Sequence, residues 1–302
     1  MSSSLLVNNS AMTALLSLNQ TQMNLATYEK QVSTGLKISS AADNASYWSI
    51  ATSMTSEVGA LGAVSNALSE SSSMLGTMSA ALQSTVSIMD NIKNDLLTAQ
   101  QPGTDLTKIQ TDIATQQQLL ISIGNSASFN TENFLASATG QTINLVASYD
   151  STKGASYISL STTNTALFGT QISVGSTANL SGGGGILDAN GTNYTGASIL
   201  SLNVSAATSG DITNMLKDAE KALTNIETAA STIGATQTNI TSQQTFISNL
   251  SDSLTSGVGS LVDADMNQAS TKISALQVQQ QLGVQALAIA NSNTQMILRL
   301  FQ

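Results

Sequence analysis

Apolar residues recur at alternating three- and four-residue steps over long stretches of this chain, and that spacing leaves little choice of fold. From Leu61 the steps land on Val64, Leu68, Ser71, Leu75, Met78, Leu82, Thr85, Met89, Ile92 and Leu96, and nine of these eleven positions are apolar. Only an α-helix returns such positions to one side, so the stretch reads as one continuous helix with a seam for partner helices. At the helical rise it is about 55 Å long, too long for a compact globule. A second stripe, Leu106, Ile109, Ile113, Gln116, Leu120 and Ile123, follows Gln101-Pro102-Gly103, a turn signal that reverses the chain. A third runs through Leu216, Ala219, Leu223, Ile226, Ala230, Ile233, Gln237, Ile240, Gln244, Ile247 and Leu254. Three helices with facing stripes predict a mainly α fold, an antiparallel helical rod.

The two ends repeat the pattern with more polar interruptions. Ala11, Leu15, Leu18, Gln22, Leu25, Glu29 and Val32 fit one stripe. Ala269, Ile273, Leu276, Gln280, Gly283, Leu287, Ala290, Thr294, Ile297 and Phe301 fit another. Polar seam residues weaken an isolated helix pair and are tolerated where they find partners in an assembly. Gln22, Glu29, Gln280 and Thr294 therefore predict ends that order against neighbouring subunits. Between Ala136 and Gly210 the helical period vanishes. Gln141–Tyr149 and Ala155–Thr163 read as strands around a turn at Asp150–Gly154, and Ile199–Val204 as a further strand. The topology is thus two helical ends that pack together and a small β-rich middle.

Composition narrows the function. The chain has 302 residues, only 9% of them charged, and a net charge of −9. Nine unclustered basic residues do not make a phosphate-binding face, which excludes a nucleic-acid partner. Cysteine and histidine are absent, so disulfides, thiolate or imidazole metal sites and His- or Cys-based nucleophiles are all excluded, and no cofactor is expected. No stretch reaches the roughly 18 apolar residues of a membrane span. Met1 to Ser10 has no basic and apolar signal-peptide pattern, so export would need another route. A weakly charged surface rich in Ser, Thr, Asn and Gln suits close packing of many copies.

Local motifs have structural readings. The Gly182–Gly185 run lacks the Lys-Ser/Thr of a phosphate loop and reads as a loop. Asp43 with Asn44, and Asp263 with Asp265, precede helices and read as caps. Tyr47 and Trp48 read as a packing anchor, and Met12, Met23, Met54, Met74, Met78 and Met89 as adaptable packing.

The ends also carry specific motifs. Residues 8–54 include Asn9-Ser10-Ala11-Met12, Ser33-Thr34-Gly35-Leu36-Lys37-Ile38, Ser40-Ala41-Ala42-Asp43-Asn44-Ala45 and Ser49-Ile50-Ala51. Residues 261–301 include Leu261-Val262-Asp263-Ala264-Asp265, Gln279-Gln280-Gln281-Leu282-Gly283, Gln285-Ala286-Leu287, Ile289-Ala290-Asn291 and Ile297-Leu298-Arg299-Leu300-Phe301. In this order the two sets resemble the N- and C-terminal signatures of bacterial flagellins. The resemblance implies an inner domain of residues 1–42 with 256–302, and a second domain of residues 43–135 with 210–255. Residues 136–209 would form a hairpin and a vestigial outer region.

It implies a structural subunit, not an enzyme, that polymerises with itself into an extracellular filament for motility. Implied partners are the flagellar cap, the junction proteins, an export chaperone and the type III export gate, through which the chain passes unfolded. The filament-core helices would use Leu15, Leu18, Leu25, Val32, Ile273, Leu276, Leu287, Ala290, Ile297 and Phe301. The second domain would pack through Leu61, Val64, Leu68, Leu75, Met78, Leu82, Met89, Ile92, Leu96, Leu223, Ile226, Ile233, Ile240 and Ile247. Some flagellins present an Arg and a Leu to an innate immune receptor of the Toll-like class. Those positions here carry Asn91 and Asp95, beside Ile92 and Lys93, which implies weak recognition. A hook–filament junction protein would share the termini, and a secreted coiled-coil adhesin would share only the helices.

Overall fold

The computed structural model describes residues 8–170, 172 and 184–300, with 293–300 as backbone only. Phe301, Gly182, Gly183 and the side chains of Thr294 and Ile297 lie outside the described residues. In chain order the elements are α1 (Asn9–Thr34), α2 (Ala45–Ala99), α3 (Leu106–Ser126), β1 (Thr142–Asp150), β2 (Gly154–Ser161), 3₁₀ turns at Thr162–Asn164 and Ile199–Ser201, α4 (Ser209–Val262) and α5 (Met266–Leu300). They form two compact units, residues 1–59 with 251–302 and residues 60–250.

In the 60–250 unit, α2 and α4 run antiparallel in a single register. Gln244 Nε2 donates to Ser69 Oγ at 3.2 Å and Gln100 Nε2 to Thr213 Oγ1 at 3.5 Å. Between these, Gly76 lies against Gln237. Each step of seven residues along α2 is answered by a step of seven back along α4. The α2 stripe is closed: Leu61, Leu68, Leu75, Leu82, Ile92 and Leu96 are fully buried, Met78 and Met89 nearly so, and Val64 is buried. Thr85, the polar interruption, is buried too, its hydroxyl donating to the Ala81 carbonyl one turn back at 2.8 Å. That local bond removes the penalty of a buried hydroxyl. Met74, Ala81 and Ile88 widen the buried face.

On α4 the seam differs from the sequence expectation. Ile226, Ile233, Ile240 and Ile247 are buried as read. The alternate positions, however, are Met215, Ala222, Ala229 and Thr236, not Leu216, Leu223, Ala230 and Gln237, which are half-buried. Three–four and four–three steps fit the same helix, and at Ala222 and Thr236 the seam takes the smaller residue of the adjacent pair.

Helix α3 returns along α2 after the Pro-Gly turn, where Gly103 adopts φ 88°. Gln116 Nε2 donates to Asp95 Oδ2 at 2.9 Å. Asp105 caps α3 by accepting from the Thr107 and Lys108 amides. At its other end the buried Asn133 donates to the Gly124 and Asn125 carbonyls and accepts from the Leu135 and Ala136 amides. One side chain thus satisfies helix-end acceptors that would otherwise be orphaned.

β1 and β2 form an antiparallel hairpin with an irregularity between Val146 and Ser148, burying Ile143, Leu145 and Ala147 on one side. Asp150 closes its turn by accepting from the Thr152 and Lys153 amides at 2.8 and 3.0 Å. Those bonds, the Thr152 amide's first, hold its carboxyl below the usual range.

Ile199–Val204 is not a strand. Ile199–Ser201 is a 3₁₀ turn in which the Ser201 amide donates to the Ser198 carbonyl, and three further backbone groups of the segment bond side chains of α3. Gln117 Nε2 donates to the Ile199 and Leu202 carbonyls at 2.9 and 3.1 Å. Gln110 Oε1 accepts from the Val204 amide at 2.7 Å. With its backbone served by two glutamines seven residues apart, the segment needs no sheet, and Ile199, Leu200, Leu202 and Val204 plug the core.

Asp218 on α4 gathers the loop at 191–194. Its carboxylate accepts from the Tyr194 amide at 2.8 Å, from Asn193 Nδ2 at 2.7 Å, and from the Asn193 and Thr192 amides. Burial pushes this carboxyl up, and the surrounding donors outweigh burial and hold it below the ordinary value. An Asp lowered in the folded state stabilises above its unfolded value and loses that contribution as pH falls through the folded one. Asp218→Asn is therefore expected to flatten the fall of stability with acid below about pH 4, read from denaturant midpoints across pH.

Two glycines give opposite expectations. A Cβ on Gly124 would overlap the fully buried Phe168 ring, whereas one on Gly62 meets nothing. Helix propensity favours alanine over glycine by about 1 kcal/mol, and overpacking costs about 1–3 kcal/mol. Gly124→Ala should lose about 1–2 kcal/mol in chemical denaturation, while Gly62→Ala should gain about 0.5–1 kcal/mol.

Candidate assembly surface

The unit of residues 1–59 and 251–302 is built on a local frame. Asn8 caps α1 by accepting from the Ala11 amide at 3.0 Å, and its Nδ2 reaches the Ala290 carbonyl at 3.0 Å. α1 ends at Gly35, at φ 73°. Beyond it Leu36 bridges to Asp263, and the Lys37 and Ala264 amides donate to the Val262 and Gly35 carbonyls. Ile38, Ala51 and Val262 form a small core with Leu36, Val258 and Leu261. α1 and α5 therefore pack antiparallel, tied at both ends.

The residues read as caps divide their work. Asn44 caps α2, accepting from the Ser46 and Tyr47 amides. Asp265 caps α5, accepting from the Asn267 and Gln268 amides. Asp43 and Asp263 are not the caps expected. Asp43 accepts from the amides and hydroxyls of Ser39 and Ser40 at 3.0–3.1 Å, with Lys30 at 3.4 Å. The Ser39 amide first, then the Ser40 and Ser39 hydroxyls, lower its carboxyl to about 2. The loop leading into α2 is thus pinned by an acid that stays ionised.

The seam between α1 and α5 is narrow. On α5, Ala269 and Leu276 are buried, and Ile273, Gln280, Gly283, Leu287 and Ala290 are half-buried, on the stripe read from the sequence. On α1 the seam is Ala11, Ala14, Leu18, Thr21, Leu25, Tyr28 and Val32, of which only Thr21 is buried. Leu15, Gln22 and Glu29 are exposed, so the expected seam is displaced by one residue at every second position. Ala14 and Thr21 are smaller than the neighbours they replace, and Gly283 sits beside Leu18. Small seam residues let the backbones approach and leave the larger side chains outside.

What is left outside includes a concentration of large apolar side chains. Among the described residues, twelve of the sixteen exposed large hydrophobics belong to this unit, although it is the smaller of the two. Met12, Leu16 and Met23 on α1, and Val278, Leu282 and Ile289 on α5, are 56–75% exposed. Both triplets have the spacing i, i+4, i+11, and eleven residues make about three helical turns, so each triplet shares one face. This second stripe is present in the sequence as apolar residues off the first, where a reading of one seam per helix does not reach. Large apolar side chains gathered on one exposed face are the kind of surface through which proteins associate. Among the described residues no cluster of three acids could hold a metal, and no helix is long and apolar enough to cross a membrane. Trp48 and Tyr47, read as packing anchors, are 39% and 47% exposed.

The helical face discussed for receptors lies in the other unit. Asn91 is exposed. Asp95 is held by Gln116, and burial, then the nearby Asp112 charge, pushes its carboxyl up.

Comparison with known proteins agrees with this architecture. The model of the bacterial flagellin N-terminal helical region matches residues 5–139, and that of the C-terminal helical region residues 216–301. The hairpin and the loops before α4 fall between them. The chain is 40% identical to a flagellin of Brucella melitensis over 300 residues, and 36% identical to flagellin C of Rhizobium meliloti over 328. Each alignment covers 99% of both chains. Helical ends packed antiparallel, a hairpin middle and these full-length relationships place the chain in the bacterial flagellin family, as a structural subunit of the extracellular flagellar filament.

Proposed function

We propose that the second apolar stripe of α1 and α5 is the surface through which subunits of this chain polymerise, residues 1–42 and 256–302 acting as one inner domain. The observation that carries this is the paired exposure of Met12, Leu16 and Met23 with Val278, Leu282 and Ile289 on helices whose mutual seam, among the described residues, buries only Thr21, Ala269 and Leu276. Covering each such side chain contributes about 1.5–3 kcal/mol, so a neighbour on this face supplies what the thin seam lacks. Repetition of a contact that does not close into a ring generates a filament. The inner domain orders fully only in that company. Leu15, Leu18, Leu25 and Val32 with Ile273, Leu276, Leu287, Ala290, Ile297 and Phe301 then form the filament core. In this reading the chain passes unfolded from an export chaperone through the type III export gate and adds beneath the cap, beyond the junction proteins. Residues 43–135 and 210–255 serve as the folded second domain.

Leu16→Lys and Leu282→Lys change positions that are 75% and 58% exposed, so the monomer should keep its helix content. Electron microscopy of seeded samples should show no filaments from either variant; normal filaments from both would refute the stripe. Deleting residues 1–40 or 265–302 should likewise abolish polymerisation and leave residues 60–250 folded. With Asn91 and the Gln116-bound Asp95 in the receptor positions, a Toll-like receptor reporter assay should show weak activation. Activation equal to a strongly stimulating flagellin would contradict that part.

A further inference from the structure

The sequence contains one Asn-Gly pair, Asn190-Gly191. The fold requires the glycine, because a Cβ there would overlap the Asp218 carboxylate. With no side chain at residue 191, the backbone nitrogen has little steric shielding. The Asn190 side chain is exposed, makes no hydrogen bond to the described protein, and lines a cavity of about 520 Å³, so water reaches it.

These neighbours are the reactants of an intramolecular reaction. The Gly191 nitrogen, on losing its proton, attacks Asn190 Cγ. A carbon–nitrogen bond forms, the carboxamide carbon–nitrogen bond breaks, and ammonia leaves with the proton. Water then opens the five-membered imide at either carbonyl, giving aspartate or its β-linked isomer. Water is the sole co-reactant, and the product carries one more negative charge.

In the folded chain the nucleophile is engaged. The Gly191 amide donates to the Ala197 carbonyl at 2.8 Å. The next three amides, of Thr192, Asn193 and Tyr194, are all held by Asp218. The nitrogen can neither rotate toward Asn190 nor readily shed its proton. We propose that Asn190 is a site of spontaneous deamidation and isomerisation, closed in the folded chain by the Asp218 clasp and open whenever residues 190–197 detach. Lys221, on the wall of the same cavity, makes no ion pair among the described residues, so the new carboxylate would arise beside an available cation. In a filament subunit outside the cell such a change would persist for the life of the polymer.

The test is peptide mapping by mass spectrometry after incubation at mildly alkaline pH, with and without urea. In the intact chain Asn190 should convert at least about tenfold more slowly than in urea, and Asp218→Asn should recover most of that difference. Asn193→Ala, which removes the 2.7 Å side-chain donor to Asp218 and a 3.5 Å one to Thr192 but keeps the backbone amides of the clasp, should accelerate conversion to a smaller extent and decides the matter if Asp218→Asn loses its helix signal. Equal rates at Asn190 in folded and unfolded wild type would overturn the proposal. So would a folded Asn193→Ala chain whose Gly191 amide exchanges faster while conversion stays at the wild-type rate.

Discussion

The seam between α1 and α5 buries little for two helices of this length. Ala14, Thr21, Ala269 and Gly283 bring the backbones close but bury little apolar area, and among the described residues of the pair only Thr21, Ala269 and Leu276 are buried. Isolated helices are marginal in water, and most of their stability in proteins comes from packing an apolar face. The apolar side chains that could supply it, Leu16, Met23, Leu282 and Ile289 among them, point away from the seam. In the proposed assembly a neighbouring subunit covers that stripe, and a wider seam would use the same side chains.

The unit of residues 60–250 follows the opposite logic. Its α2–α4 seam keeps one register from Ser69–Gln244 to Gln100–Thr213. Leucine and isoleucine close it almost completely, and the buried Thr85 satisfies itself within its own helix. α3 adds polar fasteners: Gln110 and Gln117 hold the segment before α4, and Gln116 reaches Asp95. Such a unit gains little further burial from association. The contrast is between a unit closed within itself and one that leaves large apolar side chains outside.

Much of this was legible in the sequence because helical periodicity is physical. The α2 stripe, the α5 stripe, the Pro-Gly reversal and the hairpin around Asp150–Gly154 follow from spacing and turn chemistry. The register on α1 and on alternate positions of α4 was not. Where Ala14-Leu15 or Ala222-Leu223 stand adjacent, spacing admits both, and hydrophobicity favours the larger residue. The fold takes the smaller, because the distance between helices decides. Ile199–Val204 departs from the strand expectation for a related reason: Ile199 and Val204 suit a strand, but Gln110 and Gln117 bond three of its backbone groups. Asp43 looks like a cap because it precedes Asn44, and only three dimensions show that Ser39 and Ser40 claim it. The exposed stripe is present in the sequence as a second period, legible once the first seam is placed.

The most direct test of the account compares amide hydrogen exchange in the monomer and in the assembled polymer, helix by helix. Amides of α1 and of α5 through Ser292 should exchange quickly in the monomer and become strongly protected on polymerisation. The buried stretches of α2 and α4 within residues 60–250 should be protected in both. If α1 and α5 are already as protected in the monomer as α2, or remain unprotected in the polymer, the terminal pair is not the part that assembly completes.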